Sequence, residues 1–291
     1  MTPEKNLLVR LVVSAIGIPV VFGALFQPSP TWTWLLVMAV LLAAFEEYGR
    51  ILGLRALERW VNTGVGVVLW AVVYWRPDAL LPCLFFSTIV IFSSFFAISG
   101  RDPARAFRRT TESVFALVYL GLLVCIPLLR RDGGDNGTLW VILLVTTVWF
   151  EDTLVYFAWL FLGGHRDYPD LGPSFRGRLA RIYRSLPVPS EISRNKSWGA
   201  FPVQFAGCLI ANLLGKLFYL PTLTWGQVLA LSFLAALLGK VGDLCESMLK
   251  RAFGAGTSGP FLPGHGGILD RIDALLFVAP LYYFFVRWWL P

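Results

Sequence analysis

Asp243, Glu246, Lys250, Arg251, His265, Asp270, Arg271 and Asp273 crowd into one stretch near the end of the sequence, between two strongly apolar runs. Placing an ionisable group mid-bilayer costs about 2.5–3.5 kcal/mol on insertion scales, so such a concentration marks a site with a task. Nothing breaks a helix from Gly242 to Phe253, and Asp243, Ser247 and Lys250 then fall near one face at i, i+4 and i+7. Asp270 and Asp273 stand at i and i+3, which turns both carboxylates to the same side of a helix that begins near Gly267. Two carboxylates on one turn, with a third from another helix, supply the oxygen ligands that a hard divalent cation takes. The glycines of Gly264-His265-Gly266-Gly267 let the backbone approach a phosphate closely, and the His265 imidazole could hydrogen-bond it.

Three other stretches carry polar chemistry. In Trp149-Phe150-Glu151-Asp152-Thr153-Leu154-Val155-Tyr156, Asp152 and Tyr156 are four apart, so a carboxylate and a phenol share a helix face. The plain alternative is a packing tyrosine beside an interfacial acid pair. In Ser193-Arg194-Asn195-Lys196-Ser197-Trp198-Gly199, hydroxyls and cations stand just before an apolar run. At the mouth of a helix they form a cradle for a triphosphate, because backbone N–H groups and the helix dipole add to the side-chain charge. Read alone, the same residues are also a basic anchor flanking a span. The segment from Gly163 to Glu191 carries Arg166, Arg176, Arg178, Arg181 and Arg184, a basic pattern that attracts anionic lipid by about 1 kcal/mol per residue near a membrane surface.

Ser247-x-x-Lys250-Arg251, followed by Pro263-Gly264-His265-Gly266-Gly267-x-x-Asp270-Arg271-x-Asp273, resembles the C-terminal signature of the phosphatidate cytidylyltransferases, or CDP-diacylglycerol synthases. Asp152 to Tyr156 resembles that family's Asp-x-x-Ala-Tyr segment, with Val155 in the Ala place. Ser193, Lys196, Ser197 and Trp198 match its Ser-Pro-Lys-Lys-Thr-Trp-Glu-Gly, with Arg194 for Pro and no Glu. Gly256-Thr257 stands where the family usually has Lys-Asp. The resemblance implies an integral membrane enzyme that joins CTP to phosphatidic acid and releases pyrophosphate. It also implies Mg2+ held by Asp243, Asp270 and Asp273, with Asp152 as a fourth ligand. Lys250, Arg251 and Arg271 would pair with phosphates, as would Lys196 and Ser197, while Ser193, Ser247, His265, Gly266 and Gly267 complete the nucleotide site.

Composition fixes the class that must position these residues. With 56% hydrophobic residues, 15% charged and a mean hydropathy of +0.65, the chain is too apolar for a soluble domain. The apolar runs do not alternate as barrel strands do. An all-α, polytopic membrane protein of about nine helices follows, with spans expected at 7–26, 32–48, 61–75, 79–98, 113–129, 138–162, 200–220, 227–249 and 273–290. We read residues 1–291 as one membrane domain, with helices of 1–130 followed by a site-bearing part, 138–291. The first span follows a basic start but lacks a small-x-small cleavage site, so it is expected to stay uncleaved.

Placing the N-terminus in the cytoplasm puts nineteen Lys and Arg in or before cytoplasmic connections, against Arg76, Arg130, Arg131 and Arg287 opposite. That bias gives N-in, C-out and accounts for the net charge of +7 without a nucleic-acid partner. Cys83, Cys125, Cys208 and Cys245 sit singly in apolar runs, which suits packing rather than a zinc site or disulfide framework. The expected activity is therefore cytidylyl transfer from CTP to phosphatidic acid at the cytoplasmic face of the inner or plasma membrane, with membrane lipids and a second copy of the chain in a homodimer as further partners. The alternative is a catalytically impaired relative acting as a lipid- or nucleotide-binding scaffold, motivated by Gly256-Thr257 and the Glu missing after Trp198. A transporter with an intramembrane ion path is disfavoured by the absence of internal repeats.

Overall fold

The computed structural model describes residues 15, 17–99, 102–162, 172, 174–193, 196–259, 261 and 266–289. Its regular structure is helical: α1 (17–25), α2 (Thr31–Ile51), α3 (Ala56–Trp75), α4 (Leu80–Ser99), α5 (Pro103–Gly121), α6 (Cys125–Asp132), α7 (Gly137–Leu162), α8 (Phe175–Tyr183), α9 (Phe201–Phe218), α10 (Trp225–Ala252) and α11 (Leu269–Trp289). The chain divides into two compact units. One comprises 1–138 with 253–272, and the other 139–252 with 273–291.

Six helical segments among the described residues are long and apolar enough to cross a membrane: Ala56–Trp75, Pro77–Ile98, Pro103–Asp132, Gly134–Leu162, Trp198–Phe218 and Trp225–Ala252. They cover six of the expected spans and make this a multi-pass membrane protein. The expected spans at 32–48 and 273–290 fall on α2 and α11, outside that set of six, and much of the one at 7–26 lies outside the described residues. In Pro77–Ile98 only 11% of the most apolar window is buried, although its mean hydropathy reaches 2.2. Leu81, Phe85, Phe86 and Phe96 of that segment point outward, an arrangement that suits lipid as solvent.

In the first unit, polar side chains lock the apolar helices together. The turn after α2 uses Gly53 at φ +65, a left-handed conformation that glycine adopts without a Cβ penalty. The Arg109 guanidinium of α5 fixes that turn by donating to the carbonyl of Gly53 at 3.2 Å and to Leu52 O at 2.5 Å. Glu58 caps α3 by accepting from Arg55 N at 2.7 Å. The Trp70 indole N–H donates to Leu117 O at 2.8 Å, and Gly121 leaves room for that ring on α5.

Glu47 of α2 ties the C-terminal signature into this unit. It is 1% exposed, and its carboxylate accepts from Leu269 N, the first residue of α11, at 3.1 Å. Gly259 and Gly267 pack so closely on this carboxylate that a Cβ would come within 2.9 Å and 2.6 Å of its oxygens. A carboxylate at a helix N-terminus also opposes the positive end of the helix dipole.

In the second unit, small residues let helices approach backbone to backbone, as packing within a bilayer favours. A Cβ on Gly207 of α9 would lie 2.8 Å from Glu151 Cα of α7, and Gly242 of α10 faces the Asp273 carbonyl of α11 in the same way. Deep in this unit, the Tyr282 hydroxyl donates to Asn212 Oδ1 at 2.8 Å and lies 2.9 Å from Thr147 Oγ1. Asn212 Nδ2 in turn donates to Cys208 O at 2.8 Å. Satisfying these buried groups avoids the several kcal/mol that an unpaired polar group costs in hydrocarbon.

Candidate active site

A cavity of about 320 Å³ opens within the second unit, and each of its polar walls comes from a different element. From α7 come Glu151, Asp152 and Tyr156, so the acid and phenol that the sequence places on one face do line one space. Lys240 and Asp243 come from α10, Asp273 from α11, Gln204 from α9, and Lys196 with Ser197 from the segment before α9. The close approach of Gly242 to the Asp273 backbone is what allows Asp243 and Asp273 to share this cavity.

The segment carrying Lys196 is fixed by backbone pairing. Val188 N donates to Lys196 O at 3.0 Å and Trp198 N to Leu186 O at 2.9 Å, a short antiparallel bridge. Leu186 adopts φ +52 to make this turn, a strained conformation for a non-glycine residue that the pairing holds in place. The Ser197 hydroxyl donates to Tyr183 O, and Tyr183 is buried, which raises its phenol above the usual range. Arg176 and Arg184 anchor α8 by donating to the last carbonyls of α7, Phe161 O at 2.7 Å and Leu162 O at 2.8 Å.

Held this way, the Lys196 ammonium donates to the Asp243 carboxylate, to Asp243 O at 3.0 Å and to Ser247 Oγ at 2.8 Å. Lys196 is therefore engaged with α10, and any role toward phosphate passes through a group that already holds Asp243. Glu151 is 3% exposed and accepts from Gln204 Nε2 at 2.8 Å and from the Cys208 thiol at 3.6 Å. A Cβ on Gly239 would fall 2.7 Å from its carboxylate, so this glycine makes room for it.

The other expected site residues have these surroundings. Asp270 belongs to the first unit, where its carboxylate accepts from Gly267 N at 3.0 Å and Ser258 N at 3.4 Å. Gly266, at φ +86, wraps closely around the same carboxylate. Lys250 pairs with buried Glu246 at 2.6 Å, Arg251 and Arg271 are exposed, and Ser193 N donates to Pro189 O at 3.1 Å. His265 lies outside the described residues.

Among the described residues, no three His, Cys, Asp or Glu side chains converge into a ready-made metal site. The cavity nevertheless suits Mg2+. Asp152, Asp243 and Asp273 along its wall, with Glu151, supply hard oxygen donors from three helices. Mg2+ is commonly held by only one or two carboxylates, with water and substrate phosphates supplying the rest.

Comparison with known proteins decides the lineage. The model of the cytidylyltransferase family matches residues 8–175 and 184–289. The chain belongs to the cytidylyltransferase family. It is similar to a phosphatidate cytidylyltransferase of Thermotoga maritima, 31% identical over 223 residues that cover 74% of this chain and 72% of that protein. A phosphatidate cytidylyltransferase of Brucella suis is 36% identical over 174 residues, 58% of this chain, which spans only 54% of that relative. An uncharacterized protein of Escherichia coli, YnbB, is 26% identical over 281 residues, 94% of this chain and 85% of its own length. Lys240 and Gln204 are cavity residues that the sequence did not bring forward, and Glu151 appeared there only as half of an acid pair. The only signal of Lys240 is a charge standing in an apolar run.

Proposed function

We propose that the cavity of the second unit is where the cytidylyl group of CTP passes to phosphatidic acid, giving CDP-diacylglycerol and pyrophosphate. The observation that carries this reading is the gathering of Asp152, Asp243, Asp273, Lys196 and Lys240 around one cavity in a membrane protein of the cytidylyltransferase family. Relatives named phosphatidate cytidylyltransferase support the substrates.

In this reaction an oxygen of the lipid phosphate attacks the α-phosphorus of CTP. The bond from that phosphorus to the oxygen bridging the β-phosphate breaks, and pyrophosphate departs with the electron pair. The obstacle is the meeting of two polyanions, so alignment and charge neutralisation make up most of the catalysis. Asp152, Asp243 and Asp273 are the residues that would hold Mg2+, which when bound neutralises charge on phosphate oxygens. Lys196 orients Asp243 through its hydrogen bonds to that residue and to Ser247. Lys250, Arg251, Arg271, His265 and the Gly266-Gly267 backbone remain candidates for binding the pyrophosphate portion.

Purified full-length protein given labelled CTP, phosphatidic acid and Mg2+ is expected to form labelled lipid and pyrophosphate in equal amounts. Binding of CTP without product would instead favour the scaffold alternative. The reading also places the protein in the plasma membrane with the site open to the cytoplasm, since the basic connections suit that side. A reporter inserted near Gly172 should therefore face the cytoplasm, and one fused after Leu290 should face away. Both on the same side would overturn the N-in, C-out arrangement.

A further inference from the structure

We infer that Lys240 is the binding group for the phosphomonoester of the lipid substrate. This rests on the reading of the cavity as the transfer site and adds a specific ligand to it. Lys240 is 3% exposed and lines the cavity, yet it makes no hydrogen bond or ion pair among the described residues. An ammonium carries three donors and loses its hydration on burial, so the position is costly unless an anion comes to it. The charged groups that it feels are Asp243, Lys196 and Glu151. Asp243 already accepts from Lys196, and Glu151 from Gln204 and Cys208. The acids near Lys240 thus have donors of their own.

Position along α10 points to the lipid rather than the nucleotide. Lys240, Asp243 and Ser247 stand at i, i+3 and i+7, a single stripe along the helix. Lys240 is the member farthest from the end of α10 at Ala252, about 18 Å away at the rise of an α-helix. A triphosphate enters from water at the end of a span, whereas a lipid enters sideways between helices with its acyl chains in hydrocarbon, so its phosphate can be drawn to an ammonium set inside the span. A phosphomonoester carries about −1.5 to −2 charges at neutral pH and three acceptor oxygens, which suits an ammonium with three free donors. Bound there, the lipid phosphate lies one turn from Asp243.

The test uses the full-length protein in detergent, with Lys240→Met removing the charge at similar length and Lys240→Arg restoring it. Two readouts are compared: KM values for phosphatidic acid and CTP, and the rise in melting temperature caused by dioctanoyl phosphatidic acid without CTP. Lys240→Met should raise the KM for phosphatidic acid at least about tenfold, leave that for CTP within about twofold, and abolish the lipid-induced stabilisation, with Lys240→Arg recovering part of each. A shift confined to the CTP KM would overturn the assignment to lipid. Unchanged KM values with a lowered melting temperature would make Lys240 a structural counter-charge and overturn it too. Wild-type protein that dioctanoyl phosphatidic acid stabilises, with loss in Lys240→Met, but that forms no product would uphold the inference while removing the proposed reaction. Wild-type protein that the lipid does not stabilise would contradict the inference.

Discussion

Replacing Asp273 with asparagine is expected to lower turnover at least about 100-fold, or about 2.7 kcal/mol of transition-state stabilisation, while leaving the protein folded. Asp273 lines the cavity beside Asp243 and Asp152, and its Oδ1 also accepts from Ala274 N at 2.9 Å. An asparagine keeps that acceptor and nearly the same shape, so it opens no void and is cheaper to bury than a carboxylate. What it loses is the charge that a divalent cation needs. If Asp273 serves only the fold, the pattern reverses, with a lowered melting temperature and near-normal turnover per folded molecule. Asp270→Asn should behave differently, because the carboxylate it removes organises a loop through Gly267 N and Ser258 N.

Lys196→Met is expected to cost about as much activity by another route. The ammonium is shared among the Asp243 carboxylate, the Asp243 carbonyl and Ser247. Removing it leaves a partly enclosed carboxylate without its counter-charge. The pair is about one quarter to one third exposed, so solvent screening limits the stability loss to about 1–2 kcal/mol. The larger effect should fall on kcat, since Asp243 is no longer held in the orientation the reaction uses. A double-mutant cycle with Asp243→Asn measures this directly: the two losses should be far from additive if Lys196 acts through Asp243. Additive losses, with a raised KM for CTP alone, would return Lys196 to direct phosphate binding.

The helices were legible in the sequence because long apolar runs have few ways to satisfy their backbone in a bilayer. From residue 32 onward the expected spans fall on helical structure, the one at 113–129 running from α5 into α6. The sequence also placed Asp152, Tyr156, Asp243 and Asp273 among candidates, and all four line one cavity. Spacing could not show that the Asp270 carboxylate meets Gly267 N and Ser258 N. It does not encode the backward fold at Gly266, whose left-handed backbone brings the chain around the Asp270 carboxylate. Nor could it send Lys196 to Asp243, which depends on the pairing of 186–188 with 196–198. Lys240 escaped because a lone charge in an apolar run carries no sign of its partner, and Glu151, read as half of an acid pair with Asp152, could not be assigned to Gln204 and Cys208 more than fifty residues away. Glu47 escaped because the groups it holds lie more than 200 residues away in sequence.

The most direct test of a metal-assisted transfer site in this cavity is a Mg2+ titration of CTP turnover with wild-type and Asp273→Asn protein, with melting temperatures taken on the same detergent-purified samples. The wild type should gain activity with Mg2+ and lose it on chelation, while Asp273→Asn should melt near the wild-type temperature and stay at least about 100-fold less active at ordinary Mg2+. Full turnover by Asp273→Asn across the titration would contradict the assignment of this cavity as the site of metal-assisted cytidylyl transfer.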